Sequence, residues 1–209
     1  MKEVNGEKSG DTTTEERIKQ VARSIFYQKG YAATRTRDIA VEANINLALL
    51  NYYYRSKEKL FHIIMVETVY EFIEQMGVIM NEEKTSLEKK VEMMASTYID
   101  FVIKEPHVPI FILSELRNDA SKLLDKLPVK ELFVNSVFYR QYNEYVSEGK
   151  IAQPNSFHFF MNLMSLIVFP FVTSPILKSI GGESDDQFIQ LMMERKRMIP
   201  LWISAMMKI

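Results

Sequence analysis

The chain has 209 residues and a mass of 24.4 kDa, 47% hydrophobic and 25% charged, with 26 Lys and Arg against 27 Asp and Glu, an ordinary globular balance. That length suits a small domain joined to a larger one better than a single core. The lack of Cys excludes a disulfide framework, a Cys-ligated zinc and thiol catalysis, and only seven Gly and seven Pro weigh against phosphate-cradling loops and an all-β fold, so an all-α protein is expected.

Residues 1–14, MKEVNGEKSGDTTT, hold no apolar stretch able to serve as a signal-peptide core, so a disordered polar arm and a cytoplasmic protein are expected. Ile18, Val21, Ala22, Ile25 and Phe26 then follow the spacing of one apolar helical stripe, which Gly30 is placed to end. Thr34 and Thr36 offer cap-type hydroxyls to a second short helix carrying Ile39, Ala40 and Ala43, with Asp38 in the first turn where the helix dipole favours a carboxylate. Asn tolerates the left-handed backbone best after Gly, so Ala43-Asn44-Ile45-Asn46 reads as a tight turn into a third helix, Leu47 to Tyr54. Ser56 caps a fourth, whose apolar positions Leu60, Ile63, Ile64, Tyr70 and Ile73 continue to about Gly77.

Beyond a polar break at Asn81 to Ser86, long periodic segments run over 87–104, 108–118, 128–148, 155–178 and 185–208, punctuated by Pro106, Pro128, Pro154 and Gly181-Gly182. No internal repeat or strand-like alternation occurs. Phe157 to Leu177 is twenty-one residues without a formal charge, long enough to span a bilayer. His158, Asn162, Ser165, Pro170, Thr173, Ser174 and Pro175 interrupt it and no basic flank anchors it, so a helix buried between subunits is expected and no membrane partner.

Charge divides the chain. Residues 1–62 hold eleven Lys and Arg against eight Asp and Glu, and residues 63–209 hold fifteen against nineteen, which suggests that a small basic domain meets a polyanion and the larger acidic one does not. The expected division is an arm over 1–14, a small domain over 15–62 and a larger one over 63–209. Three short helices with a four-residue turn between the second and third make a helix-turn-helix arrangement. The same spacing equally describes a plain three-helix cap, and the third helix separates the two. If Ile45, Leu49, Leu50 and Tyr54 face the core, Leu47, Ala48, Asn51, Tyr52 and part of Tyr53 point outward, an apolar and aromatic face that needs a partner.

The run Thr34 to Leu60, TRTRDIAVEANINLALLNYYYRSKEKL, resembles the amino-terminal domain of the tetracycline-repressor (TetR) family of bacterial transcription regulators. The resemblance rests on Gly30-Tyr31, Ile39-Ala40, Ala43-Asn44-Ile45, Tyr53-Tyr54 and Ser56-Lys57-Glu58-x-Leu60, and it covers about residues 15–62; beyond them only helical pattern and length agree. Three residues depart from the family: Asn44 stands where Gly is commonest, Asn51 where many members have Tyr, and Tyr54, in place of Phe, must place a hydroxyl. Carried over by position, the resemblance implies phosphate contacts from Thr36 and Arg37, a groove face of Leu47, Ala48, Asn51, Tyr52 and Tyr53, and a phosphate clamp at Lys57. Asn51 has the donor and acceptor to read adenine in the major groove.

The resemblance implies an amino-terminal helix-turn-helix DNA-binding domain and a carboxy-terminal helical domain for ligand binding and dimerisation. The last two segments carry more apolar surface than one helix face can bury, and the dimer face is expected to include Phe160, Leu163, Met164, Ile167, Phe169, Phe188, Leu191, Met192, Ile199 and Trp202. Thirteen Met and thirteen Phe suit an adaptable apolar pocket or plain core packing equally, and no pocket residue stands out. His62, His107 and His158 are too scattered for a metal site, Asp185-Asp186 and Glu82-Glu83 read as cap and solvated charges, and Arg195-Lys196-Arg197 as the solvated rim of an apolar helix. No catalytic constellation, metal or cofactor is expected. The reading is a ligand-responsive regulator, a repressor by preference, that binds a palindromic double-stranded DNA operator as a homodimer and is released by a small apolar effector of unknown identity. A DNA-binding protein without an effector, acting in architecture or division control, and a helical interaction protein that does not bind DNA are the alternatives.

Overall fold

The computed structural model describes residues 13–207 except Lys126, Pro128, Gln153 and Pro154. Residues 1–12 of the arm expected over 1–14 and the punctuation at Pro128 and Pro154 therefore lie outside the described residues, while Thr13 and Thr14 belong to the cap and start of a helix. Among the described residues eleven helices and no strand are present. The chain divides into two compact units, one ending at Thr68 and the other beginning at Val69.

In the first unit α1 spans Thr14–Ala33, α2 Thr36–Glu42, α3 Leu47–Tyr54, and α4, Lys57–Asn81, begins. Thr13 caps α1 by accepting the Glu16 amide at 3.2 Å, and the expected stripe is buried at Ile18, Ala22, Ile25 and Phe26. Gly30, at φ 74°, breaks the regular helix, and one short turn carries the chain on to Ala33. The break costs the Gly30 carbonyl its helical partner. The Thr34 hydroxyl takes that place at 2.8 Å, so it does not cap α2 as the sequence suggests. The residue before α2 is Arg35, with no side-chain cap, and Thr36 is already helical. Ile39, Leu50, Tyr54, Leu60 and Ile64 close the core from the other three helices. Lys19 ties α1 to α4 through Glu67 at 2.8 Å, a bond that raises the lysine above its ordinary value, with Glu16 at 3.1 Å beside it.

The second unit holds the rest of α4, then α5 Leu87–Lys104, α6 Val108–Leu124, α7 Val129–Val134, α8 Val137–Ser147, α9 Ser156–Val172, α10 Ser174–Gly181 and α11 Asp185–Met207. Helix α4 passes Gly77 by one turn because Asn81 bonds both ways: its amide donates to the Gly77 carbonyl at 3.0 Å, and its oxygen accepts the Val137 amide at 3.2 Å. A Cβ at Gly77 would stand 2.5 Å from the end of the Leu132 side chain, so the glycine leaves room there for that leucine. The expected single segment 128–148 is two helices, restarted by Ser136, which accepts the Tyr139 amide at 3.1 Å. Helix α5 is the centre of the unit, packed along α11 and against α8 and α9, and its Leu87, Val91, Met94, Ala95 and Ile99 meet Phe138, Phe159, Leu163, Ile167, Phe188, Met192, Ile199 and Ile203. Lys90 is also fully buried, its ammonium donating to Gln141 at 2.8 Å, and burial holds it below the ordinary lysine value.

The expected helix 155–178 is broken. Pro170 lies inside α9 and Pro175 in the first turn of α10, and the two helices meet at 71°. Among the described residues no single helix is long and apolar enough to cross a membrane. Pro170 has no N–H to give the Leu166 carbonyl four residues earlier. Arg195 of α11 supplies the missing donor, Nη2 to that oxygen at 2.7 Å, with its guanidinium 5.0 Å from the Trp202 ring centroid. Arg195 is therefore turned inward, and Lys196 pairs with Asp100, which corrects the reading of Arg195-Lys196-Arg197 as a solvated rim.

The expected partner face needs a second correction. Leu163, Ile167, Phe188, Met192 and Ile199 are buried in this chain's own core, Phe160, Met164 and Trp202 are half-buried against it, and only Phe169 and Leu191 of the ten are exposed. The outward apolar residues include Phe157 and Met161 on α9, Ile176 and Ile180 on α10, and Met198 and Leu201 on α11. Helix α9 is apolar nearly all round, so periodicity cannot say which of its stripes turns inward.

Candidate nucleic-acid interface

The turn between α2 and α3 is built from backbone bonds that the sequence selects. The Ile45 amide reaches the Ala40 carbonyl at 2.9 Å and the Asn44 amide the Val41 carbonyl at 3.0 Å, the paired closure of a Schellman motif. Its left-handed residue is Asn44, at φ 51°, so Asn serves where Gly is the usual choice. Asn46 then caps α3, its side-chain oxygen accepting the Leu49 amide at 2.8 Å. Asn-Ile-Asn thus ends one helix and starts the next within three residues.

Helix α3 is anchored by Leu50 and Tyr54, 0% and 1% exposed. The hydroxyl of Tyr54 donates to the Glu15 carbonyl at 3.0 Å, so the extra oxygen of this tyrosine fastens α3 to the start of α1, and burial pushes the phenol up from its ordinary value. Ile45 and Leu49, expected in the core, are half-buried. Ala48, Asn51 and Tyr52 are exposed, Tyr52 at 79%, while Leu47 and Tyr53 are half-buried beside them. The Tyr52 and Tyr53 rings meet edge to face at 5.4 Å, which holds two phenols as one ledge at the end of the helix. Among the described residues the Asn51 side chain makes no hydrogen bond, and the Arg55 amide bonds to its backbone carbonyl instead.

Arg37 is exposed on the first turn of α2 and Thr36 half-buried at its start. Lys57 differs from expectation. Its ammonium donates to the carbonyls of Tyr31 at 2.9 Å and Thr34 at 3.0 Å and lies 4.2 Å from the Tyr31 ring centroid. It holds the segment joining α1 to α2, and with three donors on an ammonium one remains for a phosphate. Sequence reading passes over Arg35 and Arg55, both exposed at helix boundaries, Arg55 at φ 58°. Their signal is the alternation Thr34-Arg35-Thr36-Arg37 and a cation directly after the three tyrosines. The result is a short helix held rigidly from behind, presenting an amide and two phenols between cations.

This is a helix-turn-helix fold of the DNA-binding kind joined to a helical second unit. Residues 18–64 match the family of bacterial regulatory proteins called tetR, so the resemblance read from the sequence falls on the helix-turn-helix unit. A Bacillus subtilis protein described as a probable HTH-type transcriptional regulator, YttP, is 19% identical over 172 residues, 80% of this chain and 82% of that one. The crystal structure of a TetR/AcrR-family regulator from Thermobifida fusca superposes with a TM-score of 0.65 at 18% identity, over 89% of this chain and 96% of the other. The regulator FadR of Bacillus subtilis, solved in complex with stearoyl-CoA, superposes with a TM-score of 0.58 at 17% identity, over 91% and 98%. At these identities the likeness is one of fold.

Proposed function

We propose that the protein binds a palindromic operator as a homodimer through α3 and represses transcription until a small, mostly apolar effector shifts it to a conformer that no longer fits the DNA. The observation that carries the proposal is the exposed amide and phenol face of α3, fixed by the Schellman turn, the Asn46 cap and the Tyr54 hydroxyl. Exposed apolar side chains on α9, α10 and α11 support the dimer, and the complex of FadR with stearoyl-CoA supports an effector in the helical unit.

The DNA contacts are tested by salt dependence. Arg37→Ala should flatten the log–log slope of affinity against salt by about 0.9 unit, the value for one phosphate, and weaken all sequences alike, with stability unchanged because Arg37 is exposed. Lys57→Ala should flatten it comparably and also lower stability, since it releases the Tyr31 and Thr34 carbonyls. A change of sequence preference at unchanged slope would remove either assignment. For the dimer, Leu201→Asp, at a site 69% exposed, should give monomer in sedimentation and operator affinity reduced to the half-site level. A wild-type monomer at micromolar concentration would sink the dimer and the palindrome together.

A further inference from the structure

A groove of about 680 Å³ runs between the start of α5, the end of α8 with the chain that follows it, and the last two turns of α11. The Ala152 amide donates to the Met207 carbonyl at 3.0 Å and holds the second and third of these walls together. Val91, Ile151 and Ile203, each at most 4% exposed, form an apolar floor fixed from behind by the core, and Leu201, 69% exposed, adds an apolar side. The rim is polar and its charges do not balance. Lys89 pairs with Glu92 at 2.8 Å, and Lys150 pairs with Glu148 at 2.6 Å with its ammonium 4.8 Å from the Tyr145 ring centroid. Glu88 makes no ion pair or hydrogen bond among the described residues, and the hydroxyls of Tyr145 and Ser204 make no hydrogen bond there. The bond to Glu148 raises Lys150 above its ordinary value and the charge of Glu88 acts in the same direction, so two carboxylates share one ammonium across the rim.

We propose that this groove binds a small organic cation, an alkylammonium whose hydrocarbon lies on Val91, Ile151 and Ile203 and whose charge meets Glu88, with the Tyr145 and Ser204 oxygens as further acceptors. The site is additional to the effector proposed above and independent of it. Its size is that of an ordinary ligand pocket, apolar within and polar at a few points of the edge. The sign of the ligand follows from the pairing. Both cations of the rim already have a carboxylate, and the one remaining charge is negative. The start of α5 would otherwise attract an anion, but the Ser86 hydroxyl accepts the Lys89 amide at 3.3 Å and Glu88 occupies the first turn, so an anion arriving there meets a carboxylate. An ammonium has three donors for the three acceptors of the rim.

The test uses two probes of one length, hexylammonium and 1-hexanol, with affinities measured by ligand-observed NMR on the full chain. The wild type should prefer hexylammonium, and added salt should shrink that preference. Glu88→Gln keeps the shape and removes the charge. It should weaken hexylammonium about two- to fivefold, the worth of one solvent-exposed ion pair, and leave hexanol unchanged. Ser204→Trp, which fills the groove from α11, should abolish binding of both. Equal effects of Glu88→Gln on the two probes, hexylammonium binding that survives Ser204→Trp, or failure of the wild type to bind it at millimolar concentration would each overturn the proposal. Sedimentation covers the rival occupant, a second copy of the chain. Both variants should keep the wild-type assembly state, and a monomer in either would mean that the partner fills the groove and no ligand does.

Discussion

Asn51→Ala is expected to weaken binding to the true operator by about 1–3 kcal/mol, the value of one bidentate base contact, with little change on random DNA. Asn51 is exposed on the outward face of α3, between Ala48 and Tyr52, and its side chain makes no hydrogen bond with the described residues. An asparagine used as an internal cap would already be bonded, as Asn46 is to Leu49. The neighbouring phenols of Tyr52 and Tyr53 are suited to phosphate oxygens or a thymine methyl, which leaves the amide as the group able both to give and to accept at adenine. Selection of binding sites from random DNA by wild type and variant decides the matter. The variant should lose its preference at one base pair in each half-site, and identical motifs at every position would end the assignment.

The second large effect is structural. Arg195→Met should cost about 1–3 kcal/mol, because the Leu166 carbonyl that Pro170 leaves without a helical donor would lose its substitute. In a Pro170→Ala background the same change should cost clearly less, since an alanine there restores the amide that α9 lacks. Thermal or denaturant unfolding of the four proteins measures this coupling. An equal cost of Arg195→Met in both backgrounds would show that the arginine serves only the Trp202 ring.

How much could be read from the chain is clearest in particular residues. Asn44 is legible as a left-handed turn residue, and Tyr54 as a buried ring in need of a partner, because both follow from local backbone chemistry. The destination of the Tyr54 hydroxyl, Glu15, lies 39 residues away, and no spacing rule reaches so far. Residue type makes Thr34 a helix cap and the family resemblance makes Lys57 a phosphate clamp, but both side chains turn inward to carbonyls of the segment that starts at Gly30. The break in 155–178 is visible as Pro170 and Pro175, while its repair by Arg195 is not, since a cation beside Trp202 reads as rim until the orphaned carbonyl is seen.

The repair of α9 by α11 also bears on how the chain is made. The first unit closes its core within residues up to Thr68, early in synthesis. The uncharged run Phe157 to Leu177 emerges with its Leu166 carbonyl unanswered, and the donor lies 29 residues further on. At about 5–20 residues per second of translation, that segment waits on the order of seconds before Arg195, and with it Phe188, Met192 and Ile199, can cover it. In that interval the nascent chain displays a stretch of membrane-like composition, a natural recognition site for chaperones that bind apolar segments at the ribosome exit.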